Sequence, residues 1–149
     1  MNNMRHHVDE KLGRELRGIG FTEPCLGVFE ILIQGGKHGS FRLNYNSEGV
    51  WHNHNRSKPQ FERNDWYWSA PLYQQVFEWF RTNNIFGQIE LDLTTYPKFA
   101  YSIHSYSDDE GFINTISPRA YSDLFSTYRE AEDKCIEEMI QSFKKLKNV

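Results

Sequence analysis

The sequence predicts an α+β fold, an antiparallel sheet of five or six strands with two main helices packed on one of its faces. Three observations predict it. Apolar residues alternate at period two in several short segments. They recur at period four in two longer ones, around Leu72–Phe80 and Ala131–Phe143. The resulting order, (α)-β-β-β-α-β-β-β-α, groups strands between helices, which disfavours a parallel doubly wound sheet.

From Val8 to Arg17, Leu12 and Leu16 sit one helical turn apart and allow a short helix. Gly13 weakens it, and Gly18 and Gly20 end it. Residues 1–7 show no pattern and are expected to be loose. Phe29, Ile31 and Ile33 share one face of a first strand, Val28 to Ile33. Glycines at 35, 36 and 39 break the chain. Phe41, Leu43 and Tyr45 then alternate with Arg42 and Asn44 in a second strand with one wet face. After the turn Asn46–Gly49, Val50 to His54 reads as a third strand that completes a meander. Asn55 to Ser69 reads as irregular.

Pro71 suits the first turn of a helix. Leu72, Val76 and Phe80, flanked by Tyr73 and Phe77, give it a wide apolar stripe ending near Asn83-Asn84. Ile89, Leu91 and Leu93 alternate with Glu90 and Asp92, and Phe99, Tyr101 and Ile103 with Ala100, Ser102 and His104. A three-residue loop at Tyr96-Pro97-Lys98 would set Leu91 opposite Ile103, Leu93 opposite Tyr101 and Glu90 opposite His104. A one-residue slip would oppose apolar to polar, so the pattern resists it. Asp108–Gly111 is a turn and Phe112 to Ile116 a further strand. The last helix opens on a capping box, Thr127 with Glu130. Ala131, Cys135, Met139 and Phe143 form its stripe, with Ile136 and Ile140 beside them, and Lys144, Lys145 and Lys147 suit its C-terminal dipole.

The bulk composition fits one domain spanning 1–149. The chain has 149 residues, of which 38% are hydrophobic and 15% aromatic. That supplies a core from a few large side chains. Mean hydropathy is −0.72, yet polar residues lie between periodic segments and not in blocks. A net charge of −3 disfavours a broad electrostatic grip on nucleic acid or on an anionic membrane. No stretch approaches the length of a membrane span, and the polar Met1–Glu10 lacks an apolar signal core. Cys25 and Cys135 read as reduced, buried small hydrophobes of a cytoplasmic protein.

The runs APLYQQVFEWFR and STYREAEDKCIEEMI, with strands between them, resemble small proteins of unassigned activity from bacterial phages and conjugative elements. The likeness covers about half of the chain and rests on a helix start, two apolar stripes and a capping box. It implies a mobile-element context and brings no activity or site with it. The last helix also resembles the closing helix of double-stranded RNA-binding domains, but lacks the basic helix start those domains set on phosphates.

Four constellations carry possible chemistry. His52 and His54 would share a strand face and could hold a metal. His38, His104, Asp108 and Asp109 show no ligand spacing to complete the site, so a polar strand end is the simpler reading. Gly36-Lys37-His38-Gly39 fits the GxxG loop of KH domains. Strands flank it instead of helices, and a hairpin turn accounts for the glycines. Glu90 and His104 would form an acid–imidazole pair able to act as a general base, with Ser102 and Ser105 as neighbours but no nucleophile elbow. A surface cross-strand pair worth a few tenths of a kcal/mol (about 0.2–1) is the simpler reading. Trp66, Tyr67 and Trp68, with Arg56, Lys58 and Arg63 nearby, form a segment suited to a protein partner or to stacking on single-stranded nucleic acid.

The sequence therefore reads as a noncatalytic binding protein that meets an unidentified protein partner and needs no cofactor and no membrane. Single-stranded nucleic-acid binding is the alternative, and a small hydrolase or metal enzyme built on Glu90 and His104 the third reading.

Overall fold

A computed structural model describes residues 6–34, 37–45, 67–93, 98–107, 112–117 and 124–148. The chain divides into two compact units, Met1–Gln75 and Val76–Val149. The α+β class follows the sequence. The strands, however, do not form the expected single sheet of five or six. Among the described residues they are hydrogen-bonded as two antiparallel sheets of three strands each.

In the first unit, α1 (Glu10–Gly18) starts at Asp9, whose carboxylate accepts the Leu12 N–H at 2.8 Å. This side-chain cap satisfies one of the open donors of the first turn. Leu12, Gly13 and Leu16 are buried. Gly13 weakens the isolated helix but has a packing role. A Cβ there would lie 2.9 Å from the Phe29 ring and 3.3 Å from the Ser69 carbonyl oxygen. The helix can approach the sheet this closely only without that atom. Gly20, with φ +90°, occupies backbone space that favours glycine and follows the helix end.

Strands β1 (Gly27–Gln34) and β2 (Lys37–Tyr45) pair antiparallel, with Phe29 opposite Leu43 and Ile31 opposite Phe41. The expected third strand, Val50–His54, lies outside the described residues. The third strand seen is β3 (Tyr67–Ala70), in a stretch read as irregular from sequence. It pairs with the other edge of β1, giving the order β2-β1-β3 in place of the expected meander. Phe29 and Ala70 make a small buried cluster, with Leu43 packed against it.

The N-terminal expectation also needs correction. His6 is exposed, but His7 and Val8 are buried at 8% and 2% exposure. His7 bridges to Leu72, and the Val8 N–H donates to the Pro71 carbonyl at 3.1 Å. Pro71 is thus an acceptor just ahead of α2 (Tyr73–Thr82), not a member of its first turn. Residues 1–5 lie outside the described range.

The second unit takes α2 from Val76 onward. Val76 and Phe80 are fully buried, and the Trp79, Phe80 and Phe143 rings meet edge-on or tilted with centroids 5.1–6.3 Å apart. The turn after the helix sets Asn84 at φ 61°. β4 (Ile85–Asp92), β5 (Lys98–Ser107) and β6 (Phe112–Ser117) form a meander in that order. α3 (Tyr128–Lys147) begins with both bonds of the capping box in place. It buries Ala131, Cys135, Ile136, Met139, Ile140 and Phe143, the stripe read from sequence. Gly87 on β4 sits beneath it, where a Cβ would meet Met139, Cys135 and Phe77 at 2.7–2.8 Å.

Candidate functional site

The register of β4 and β5 decides the Glu90–His104 reading. Glu90 stands opposite Ala100, and His104 opposite Phe86. The pairing differs by four residues from the expected one: Leu91 faces Phe99 instead of Ile103. An even slip keeps every side chain on its own face, so period-two alternation could not detect it. The expected acid–imidazole cross-strand pair is therefore not formed. The Glu90 carboxylate instead accepts the Ser102 hydroxyl at 3.3 Å. Ser102 is buried at 6% exposure, and its proton is directed at a carboxylate rather than at His104. This stabilises the sheet face without activating a nucleophile.

The thiols are poor nucleophiles as well. Cys25 and Cys135 are buried and not joined in a disulfide. Burial pushes the Cys25 thiol up to about 12 against a hydrogen bond from Ser69, and Glu23 adds to the rise. Burial pushes Cys135 up further, with Glu138 adding to it. Thiolate at neutral pH is correspondingly scarce.

His52, His54, Asp108 and Asp109 lie outside the described residues. His38 lies on β2 opposite Ile33. Among the described residues no three His, Cys, Asp or Glu side chains gather as a metal site. Lys37, His38 and Gly39 of the GxxG run belong to strand β2, with Lys37 opposite Gln34, which sets the run apart from the helix-flanked KH loop. Of the aromatic–basic segment, Arg56, Lys58, Arg63 and Trp66 lie outside the described residues. Tyr67 and Trp68 belong to β3, opposite Glu30 and Phe29.

The second unit presents one feature that the sequence reading missed. At the end of the β4–β5 pair where the two strands connect, Leu91 is 53% exposed, Leu93 72%, and Tyr128 at the start of α3 51%. Leu91 and Tyr128 flank the part-buried Phe99, and Leu93 follows Leu91 two residues on. Phe99 faces Leu91 across the strands and meets Tyr128 edge-on, 5.6 Å between centroids at 88°. Phe99 and Phe125 exchange backbone hydrogen bonds of 2.9 and 2.8 Å, and Phe125 lies 5.9 Å from the Tyr101 ring. The aromatic base fixes the patch, and Leu91, Leu93 and Tyr128 offer it to solvent. Burial, with help from Glu132 and Cys135, raises the Tyr128 phenol above its ordinary value, so it stays a neutral hydrogen-bond donor. Alternation alone assigned both leucines to the core, because period two gives the face of a residue but not how far helix cover extends along the strand.

Among the described residues no helix is long and apolar enough to cross a membrane. Comparison with protein-family models, curated proteins and solved structures finds no match to this chain.

Proposed function

We propose that this chain is a noncatalytic binding protein that engages another protein through the Leu91–Leu93–Tyr128 patch. The observation that carries the reading is the joint exposure of two leucines and a tyrosine on a base fixed by Phe99 and Phe125. Contiguous apolar surface rimmed by polar groups is what protein interfaces bury. Burying one leucine against a partner contributes about 1.5–3 kcal/mol. The resemblance to phage and conjugative-element proteins suggests a host or phage protein as partner. The Trp66–Trp68 segment with Arg56, Lys58 and Arg63 is proposed as a second contact region.

Affinity capture with the full chain tests this. Wild type, Leu93→Asp and a Trp66→Ala/Trp68→Ala variant are compared, each first shown to keep its circular dichroism and melting temperature. A partner held by wild type and released by Leu93→Asp supports the patch. Equal capture by both removes it. Salt-dependent binding of a single-stranded oligonucleotide, lost in the tryptophan variant alone, would replace this reading with a nucleic-acid one.

A further inference from the structure

The Leu91–Leu93–Tyr128 patch adjoins a surplus of negative charge. Along α3, Tyr128–Glu138 carries five carboxylates, among them Glu130, Glu132 and Asp133, against two cations, Arg129 and Lys134. That surplus equals the formal net charge of −3 of the whole chain, so the remaining residues balance. Both cations face carboxylates of the same helix, Arg129 at 3.6 Å from Glu132 and Lys134 at 3.3 Å from Glu137. Pairing within the helix leaves the sum unchanged. Glu130 is exposed, and its carboxylate accepts the Thr127 N–H at 3.1 Å, a neutral donor that leaves the charge in place. The helix start itself carries about half a positive charge, which one carboxylate outweighs. Lys98 stands opposite Asp92, and the two together add no net charge. Glu130 and Glu132 follow Tyr128 by two and four residues, within about one helical turn of 5.4 Å. Screening at physiological salt extends over about 8 Å, so both act on whatever covers the tyrosine.

Resting on the proposed role of this patch, we infer that its occupant is a basic-flanked apolar protein segment, which sets an aliphatic or aromatic side chain on Leu91, Leu93 and Tyr128 and a lysine or arginine beside Glu130 and Glu132. The charge decides among the possible occupants. A second copy of this chain, docked about a two-fold axis, would bring the same surplus of carboxylates to the joint. Nucleic-acid phosphates and anionic lipid headgroups are repelled by the same rim. An acidic or neutral protein segment could cover the leucines but would leave the carboxylates without a counter-charge. A segment with lysine or arginine next to its apolar anchor satisfies both halves of the surface. The apolar contact supplies most of the affinity, and the charge selects the partner and speeds the encounter.

Two synthetic peptides of about 14 residues, four helical turns, test this with the full chain. One carries leucine at helical spacing with lysine elsewhere, and the other has glutamate in place of every lysine. Calorimetry compares wild type, Leu93→Ser and a Glu130→Gln/Glu132→Gln variant. Glutamine at 130 keeps the acceptor of the capping box and removes only its charge. Wild type should bind the lysine peptide at least about tenfold more tightly than the glutamate peptide. The glutamine variant should lose roughly fivefold of that preference. Leu93→Ser should weaken binding of the lysine peptide roughly tenfold. The preference should also shrink between about 0.1 M and about 1 M salt, as screening shortens from about 10 Å to about 3 Å. Equal affinity for both peptides, lost in Leu93→Ser, overturns the choice of a basic partner and leaves the patch as a binding surface. Lysine-peptide binding undiminished in Leu93→Ser places the contact elsewhere and overturns both readings. No binding of the lysine peptide overturns the inference, as does self-association of wild type that Leu93→Ser abolishes, which would give the patch to a second copy. If the glutamine variant does not fold, the salt series on wild type decides, and a preference unchanged by salt refutes the role of charge.

Discussion

A Cβ built on Gly87 would stand 2.7 Å from the Met139 Sδ, and also 2.8 Å from the Cys135 Sγ. The α3 helix therefore rides on β4 at a distance that only glycine allows at this position. Gly87→Ala must push against two buried sulfur-bearing side chains and the Phe77 ring at once. Overpacking of this kind costs about 1–3 kcal/mol. Gly18→Ala is the control: a Cβ there meets nothing within 4 Å. Chemical denaturation should show loss for the first and no loss for the second. Equal stability of wild type and Gly87→Ala would mean that α3 sits further from the sheet.

The start of α3 rests on two reciprocal bonds. The Thr127 hydroxyl accepts the Glu130 N–H at 3.2 Å, and the Glu130 carboxylate accepts the Thr127 N–H at 3.1 Å. Thr127→Ala should cost about 1 kcal/mol. Glu130→Ala should cost less when Thr127 is already alanine, since each bond holds the geometry of the other. A double-mutant cycle measures the coupling, and strictly additive losses would show that the box contributes nothing as a unit.

Much of this was legible in the sequence, and the failures share one cause. α3 could be read with its cap, its buried face and its basic end because helical spacing and local capping are properties of neighbouring residues. Strand faces were legible for the same reason at Phe29, Tyr101 and Ile103. Pairing is not local. The hairpin register was misplaced by four residues, since any even slip satisfies alternation, and the loop length that selects among even slips carries no periodic signal. β3 was missed because Tyr67–Ala70 is short and follows a polar stretch. His7 looked loose because its acceptor, Ala70, lies 63 residues away. Of the candidate site, Glu90 and Ser102 could be named from sequence, but not that they would bond to each other.

The observed register has its own test. Ile89 opposes Tyr101 and Gly87 opposes Ile103. NMR should show cross-strand contacts between these pairs, and none between Glu90 and His104. A nuclear Overhauser effect joining the Leu91 and Ile103 backbones would restore the sequence-based register and with it the acid–imidazole pair.

Cys25 gives the alkaline limb of stability. Burial pushes its thiol up to about 12 in the folded chain, against an ordinary 9.0. A raised folded value means the unfolded chain loses its proton first. This contribution is therefore whole below pH 9 and lost as the pH climbs towards 12. Denaturation midpoints should fall across that window. At neutral pH iodoacetamide should modify neither Cys25 nor Cys135 until the chain unfolds. Alkylation of native protein at the rate of a small free thiol would contradict the burial of both.

Leu93 separates the core reading of the second unit from the interface reading. Its place in the alternation made it a core residue, yet 72% of it is exposed. A core leucine replaced by a small or charged residue costs about 2–5 kcal/mol, whereas an exposed one changes stability by no more than about 0.5 kcal/mol. Leu93→Asp should fall in the second range, and Ile103→Ala, at a position fully buried on the partner strand, in the first. The contrast matters for function. An apolar side chain whose removal costs the fold nothing is available to a partner, whereas one whose removal unfolds the unit is already covered. Severe destabilisation by Leu93→Asp would show this leucine to be packed in solution, leaving no exposed base on which a protein could dock.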